Sequence, residues 1–177
     1  MSTTKWSLDP AHSEVQFKVK HLAITTVTGS LGTFEGTVET TGDDFSTAAI
    51  SFSGDAASIS TGSEQRDGHL KSPDFFDVEK SPKITFTSSK FEKVDGSNFK
   101  LLGNLTIKGV SKPISLDVEF GGTQKDPWGN TKAGFTLSGK INRKDFGLEW
   151  NAPLEGGGFL VSEEVRILAE VQLAKQA

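Results

Sequence analysis

The sequence predicts an all-β chain: an eight-stranded antiparallel up-and-down β-barrel with a short helical insert around residues 61–77. Three observations predict it. Nearly every ordered-looking stretch alternates apolar and polar residues at period two, the mark of a strand with one dry and one wet face. Most links between these stretches are short and turn-like, which makes successive strands antiparallel neighbours. Closing such a sheet then removes its exposed edges.

The elements follow in order. A short extended piece around Trp6–Asp9 comes first, and eight strands are expected at roughly 12–22, 28–41, 47–60, 82–93, 97–108, 112–122, 130–142 and 162–174. In the first, Val15, Phe17, Val19 and His21 alternate with Gln16, Lys18 and Lys20. The later strands show the same rhythm at Phe99–Ile107, Ile114–Phe120, Ala133–Ile141 and Val165–Leu173. Two runs change phase partway: Leu31 and Phe34 across Gly32, and Phe86 and Phe91 across Ser88–Lys90. A phase change inside a strand predicts a β-bulge, which bends and twists it. Turns are expected at Thr41–Asp44, Asp95–Asn98, Gly109–Val110 and Pro127–Asn130. Two links are long. Residues 61–81 hold the helical insert, with Thr61 and Glu64 spaced as a capping box and Ser72 before Pro73 offering a second helix start. The other, about 143–161, is rich in glycine.

Composition sets the bounds. The 177 residues are expected to form one domain, 1–177. Net charge is −4 with no basic block, so no nucleic-acid partner is expected. There is no cysteine, hence no disulfide and no thiolate metal site. No apolar run is long enough to span a membrane as a helix. The opening MSTTKWSLDP lacks the charged and apolar regions of a signal peptide, which predicts a cytoplasmic protein, or a periplasmic one if a leader was removed.

An eight-stranded barrel is near the size at which the interior either fills with side chains or holds one small ligand. Val15, Phe17, Val19, His21, Phe34, Phe52, Phe86, Phe99, Leu101, Leu116, Phe120 and Phe135 are expected to line the lumen. Gly36, Gly54, Ala56, Gly103, Ala133, Gly139 and Ala169 share those inward phases. Small residues among aromatic ones suit a flexible, linear, apolar guest; the same glycines also suit bent strand corners with no void. Few inward positions are polar, which disfavours a polar guest.

The motifs, read together, resemble the YceI-like family of lipocalin-like barrels. They are Trp6, Asp9-Pro10 and His12-Ser13; Phe17 and His21; Gly29, Phe34 and Gly36; Ser60-Thr61; Arg66-Asp67-Gly68-His69-Leu70; and Asp74-Phe75-Phe76-Asp77. They continue with Pro82–Phe86, Gly103–Val110, Asp126-Pro127-Trp128-Gly129 and Asn142–Gly147. The resemblance implies an extended barrel with a lipid chain threaded along its lumen, polyisoprenoids being the ligands associated with the family. No cofactor is implied beyond such a bound lipid, for example a polyisoprenoid or isoprenoid quinone.

The polar residues are read alongside. Asp9, His12 and Ser13 offer the residue types of a catalytic triad, but neighbours on a strand face opposite ways and no nucleophile elbow is present. No catalytic residue is expected. His12, His21 and His69 lack the local spacing of metal ligands, and no metal is expected. His21 fits either an anchor for a ligand head group or a half-solvated strand end. Arg66, His69, Phe75 and Phe76 are candidates for the mouth or lid. Arg66 fits either a head-group site or a structural pair with Asp67 or Asp77. Lys18 and Lys20 are read as outward, solubilising charges. The expected function is therefore binding, sequestration or carriage of a long-chain apolar molecule: an isoprenoid, an isoprenoid quinone or a fatty acyl compound. A lipid-modifying enzyme using the same lumen, or a filled barrel serving interaction or stress, are the alternatives. A homodimer is compatible with the chain.

Overall fold

A computed structural model describes residues 2–22, 24–151 and 160–176. The strands are β1 (Thr3–Leu8), β2 (Glu14–His21), β3 (Thr25–Leu31), β4 (Phe34–Thr41), β5 (Asp44–Asp55) and β6 (Ile59–Ser60), then β7 (Lys83–Asp95), β8 (Asn98–Ile107), β9 (Val110–Lys125), β10 (Thr131–Asn142) and β11 (Glu164–Lys175). One helix, α1 (Glu64–Lys71), lies between β6 and β7.

These pieces form eight continuous antiparallel strands closed into a barrel. The order β1-β4-β5-β7-β8-β9-β10-β11 returns to β1. Strand β11 closes the ring with two partners along one edge: β1 beside Leu173–Lys175 and β2 beside Arg166–Glu170. β1 and β2 are thus one long strand broken by a 3-10 turn at Pro10–His12. β3 and β4 form a second, interrupted at Gly32, and β5 and β6 a third, interrupted by a 3-10 turn at Ala56–Ser58. The sequence rhythm located both internal irregularities it singled out. Residues 32–33 separate β3 from β4, and the β7–β8 register shifts between Ser88 and Lys90. A third bulge, opposite Gly134–Phe135 on β9, falls at the Gly121-Gly122 pair.

The turns follow from their residues. Lys108 and Gly109 both have positive φ, 53° and 75°, the backbone of a two-residue hairpin matched to strand twist. This sets the β8–β9 turn at 108–109 rather than the expected 109–110. The helix differs from expectation in its cap. Ser63, not Thr61, is the N-cap, its Oγ accepting from Arg66 N at 3.3 Å. Ser72-Pro73 starts a tight turn instead of a second helix, with Phe75 N and Asp77 N both donating to Ser72 O.

One end of the barrel is packed with aromatic rings. Trp6 lies 5.0 Å from Phe45, Phe45 is 5.1 Å from Phe135 and 5.5 Å from Phe120, and Phe91 stacks flat on Phe99 at 4.7 Å. The inward glycines serve this packing rather than holding a bore open. A Cβ on Gly29 would enter the ring of Phe17, one on Gly139 would strike Leu116, and one on Gly103 would press into Phe86 and the Thr87 carbonyl. Each glycine is the notch in which a neighbouring side chain rests. Gly103→Ala is therefore expected to cost about 1–3 kcal/mol through overpacking, seen as an earlier urea midpoint at unchanged slope.

The N-terminal strand is tied to the wall by polar residues. The Asp9 carboxylate accepts from His12 Nδ1 at 2.8 Å and lies 3.4 Å from Lys132 Nζ on β10. The Ser13 hydroxyl accepts from Gln172 N on β11 at 3.0 Å, so Asp9, His12 and Ser13 form no triad. The His12 hydrogen bond, with Lys132 adding to it, holds the Asp9 pKa below its ordinary value. A carboxyl with a lowered native pKa binds fewer protons folded than unfolded. Its stabilisation is present above the unfolded value of about 4 and is lost as pH falls from there through the native value. Asp9→Asn is expected to lower the thermal midpoint at pH 7, and the gap to wild type is expected to narrow towards pH 3.

Candidate functional site: the barrel cavity and its mouth

The half of the bore away from the aromatic end holds a cavity of about 650 Å³. Its floor is the inner edge of the aromatic layer, at Phe45, Phe91 and Phe135. Its walls are the dry faces of the strands, and there the side chains are shorter: Val15, Val19 and Val27 on β2 and β3, Ile114 on β9, and Val165, Ile167 and Ala169 on β11. Aliphatic residues of this size do not reach across an eight-stranded bore, whereas phenylalanines at the other end do.

Most of the lumen residues read from alternation stand on this wall. Val15, Phe17, Val19, His21, Phe52, Phe86, Leu101, Leu116 and Phe135 all line it. Phe34, Phe99 and Phe120 do not. Phe34 pairs across the ladder with Gly54 and packs 6.0 Å from Phe52, which meets the cavity in its place. Phe99 lies under Phe91, and Phe120 is wedged 5.5 Å from Phe45 and 5.0 Å from Phe135. All three point inward, but at heights where the interior is already filled. Period two gives the face of a strand and not the height along the barrel. Phe91 and Phe45 on the floor, and Leu8 near it, went unread for the same reason.

The mouth is built by three segments: α1 with the turn after it, the β2–β3 turn, and the chain on either side of residues 152–159. Arg66, His69, Phe75 and Phe76 of the insert all line the cavity. Phe75 and Phe76 do so as a pair because the chain turns sharply there, Phe76 N donating back to Leu70 O. Arg66 pairs with neither Asp67 nor Asp77. Its Nε donates to Thr61 Oγ1 and its Nη2 to Thr61 O, both at 2.7 Å. Asp67 accepts from Thr61 N and Oγ1, at 2.8 and 2.6 Å. Thr61 thus organises both neighbours, which explains a threonine followed by Glu64 without a capping box. His69 Nε2 meets Asp74 Oδ2 at 2.9 Å, and its ring stands edge-on to Phe75 at 5.1 Å and to Trp150 at 4.6 Å. Lys108 Nζ reaches Pro73 O at 2.9 Å and pins the insert to the β8–β9 turn.

Arg143 was read as structural, and its connections make it the organiser of the second long link. It is 3% exposed at the end of β10. Nε donates to Ser162 O (2.8 Å), Nη1 to Leu148 O (2.5 Å) and Trp150 O (3.0 Å), and Nη2 to Val161 O (3.3 Å). One guanidinium thereby gathers carbonyls from both ends of the link, and it lines the cavity too. Burial lowers its pKa from the usual value, and the group still stays charged. Trp150, Leu148 and Leu160 on the wall were missed as site residues, since a glycine-rich link without periodicity gives no phase to read.

The geometry is that of a container with a rigid rim, and comparison with known proteins agrees on the fold. The YceI-like domain matches residues 6–173. The chain belongs to the YceI-like family. It is 38% identical over 172 residues to UPF0312 protein SAS2572 of Staphylococcus aureus (strain MSSA476), covering 97% of this chain and 98% of that one. Among solved structures, the Campylobacter jejuni YCEI protein is 34% identical with a TM-score of 0.75, covering 90% of this chain and 91% of that one. Two others share the fold at lower identity. Burkholderia cenocepacia BcnA has a TM-score of 0.81 at 22% identity, covering 93% of this chain and 98% of that one. A polyisoprenoid binding domain from Saccharophagus degradans has 0.69 at 16%, covering 97% and 98%. Among the described residues of this YceI-like chain, no helix is long and apolar enough to cross a membrane.

Arg143→Lys keeps the charge but offers three donors from one point, and cannot serve four carbonyls spread over two chain segments. It is expected to lower the unfolding free energy by about 2 kcal/mol or more, because buried carbonyls left unpaired cost about 1–3 kcal/mol each. Urea denaturation followed by tryptophan fluorescence measures it.

Proposed function

We propose that this YceI-like barrel binds one long-chain apolar molecule, an isoprenoid, an isoprenoid quinone or a fatty acyl compound, and sequesters or carries it without transforming it. The observation that carries this reading is the cavity: about 650 Å³ in a chain of 177 residues, walled by valine, leucine, isoleucine and phenylalanine. Well-packed interiors leave few voids larger than a water molecule. A space this size falls in the range of small-molecule sites, about 300–1,000 Å³. At about 30 Å³ for a water-sized group, it seats about twenty chain carbons.

The magnitudes favour retention. Burying about twenty methylenes at about 0.8 kcal/mol each gives a gross gain of about 16 kcal/mol. Association and ordering take back about 4–15 kcal/mol. A net affinity remains without any polar anchor, so the apolar wall suffices for capture. Carriage rather than catalysis fits the side chains: the mouth hydroxyl of Thr61 and the imidazole of His69 are bonded to Arg66 or Asp67 and to Asp74, not to each other.

Organic extraction of the purified protein followed by mass spectrometry is expected to release a chain-bearing lipid in near-stoichiometric amount. Filling the bore tests the location. Ala169→Phe and Ile167→Phe, both on the wall, are expected to reduce uptake of added lipid at least about tenfold while the β-sheet circular dichroism persists. Protein that neither carries nor takes up any lipid would overturn the proposal.

A further inference from the structure

The charged residues on the cavity wall are all of one sign. Among the described residues the wall carries Lys20, Arg66 and Arg143, with the imidazoles of His21 and His69, and no aspartate or glutamate. This occurs in a chain where acidic residues outnumber basic ones, 23 to 19. The nearby carboxylates are engaged elsewhere: Asp67 by Thr61, Asp74 by His69, and Glu163 by Lys144 at 2.9 Å. Arg66 makes its printed bonds to the neutral groups of Thr61, and all four acceptors of Arg143 are neutral carbonyls. Their hydrogen bonds are met and their charges are not neutralised. Buried or half-buried charges ordinarily sit beside a counter-charge.

The five groups also share one place. Trp150 O binds Arg143 while its ring meets His69. Val161 O binds Arg143, and Val161 bridges to His21. Lys20 O accepts from Ser162 N, next to the Ser162 carbonyl that Arg143 holds. One turn of α1 separates His69 from Arg66. The cationic groups therefore ring the mouth, and the opposite end of the cavity is aromatic. A molecule lying along this axis has its chain on phenylalanine and its head among cations.

We propose that the ligand is an amphiphile with an anionic head, a carboxylate or a phosphate, held at the mouth by Arg66 and Lys20 within the field of Arg143. This rests on the lipid-binding reading above and names the head group it left open. Low dielectric at the rim makes the unneutralised charges count for more than they would in water, and a guanidinium offers both oxyanions a forked pair of donors.

Matched pairs separate head from chain. Oleate against oleyl alcohol tests a carboxylate, and farnesyl phosphate against farnesol tests a phosphate, each by displacement of a fluorescent fatty-chain probe at fixed salt. At least one acid is expected to bind about tenfold or more tightly than its own alcohol, the worth of one charge-assisted hydrogen bond. The pair that shows the gap identifies the oxyanion. In the Lys20→Gln/Arg66→Gln double variant the ratio of acid to alcohol affinity is expected to fall to within about twofold of one, and Arg66→Lys is expected to keep part of it. Alcohols that bind as well as both acids overturn the head-group inference and leave lipid binding standing. Failure of all four molecules to bind overturns both. A gap between acid and alcohol that the double variant leaves intact overturns the assignment to Arg66 and Lys20.

Discussion

A closed ladder points every second side chain inward, whether or not there is room for it. That constraint governs the rest of this molecule. Eight strands enclose a bore that six large aromatic rings fill at one end: Trp6, Phe45, Phe91, Phe99, Phe120 and Phe135. The same bore, lined mainly by valine, isoleucine and alanine on β2, β3 and β11 at the other end, stays unfilled. The filled end supplies the hydrophobic core that stabilises the sheet. The sheet then holds the unfilled end open. Stability and capacity are divided along one axis, so the cavity does not weaken the packing on which it depends.

Closure also dictates where the mouth lies. The three N-terminal long strands break at residues 9–13, 32–33 and 56–58, and beyond each break the pairing changes. β5 pairs with β7, but its continuation β6 pairs only with β3. The sheet is therefore split between β6 and β7, and α1 with its following turn occupies the split. Lys108 and Arg143 brace that end by collecting carbonyls rather than carboxylates. A rim held by hydrogen bonds to backbone is fixed in shape and leaves its cations unpaired.

Much of this was legible in the chain. All eight strands could be read because each has a wet outer face, and alternation is strongest where only one face is buried. Gly32 and Ser88–Lys90 announced themselves by breaking phase. Thr61 was read as a helix cap because a threonine three residues before Glu64 is a local signal, while its real partners, Arg66 and Asp67, are chosen by the packing of α1 against the end of β6. Phe34, Phe99 and Phe120 were placed on the correct face and at the wrong height, since height depends on strand stagger, which no local pattern carries. The glycines were read as open space. They are instead occupied by their neighbours' rings, because a notch left by one residue is filled by whichever side chain stands across the ladder.

Arg143 shows why a lumen that favours apolar molecules nonetheless contains a cation. The link it organises leaves the barrel after β10 and returns at β11, and its carbonyls at 148, 150, 161 and 162 find no strand to pair with. Left unpaired near an apolar cavity, each would cost more than an exposed one. A planar fork of five donors meets four of them from a single side chain, which neither lysine nor a neutral amide does. The consequence is electrostatic. A carboxylate placed beside Arg143 would compete with those carbonyls for the same donors and loosen the link. The requirement that closes the backbone hydrogen bonds thus keeps the charge uncompensated, and the positive rim of the cavity follows from the architecture that shapes it.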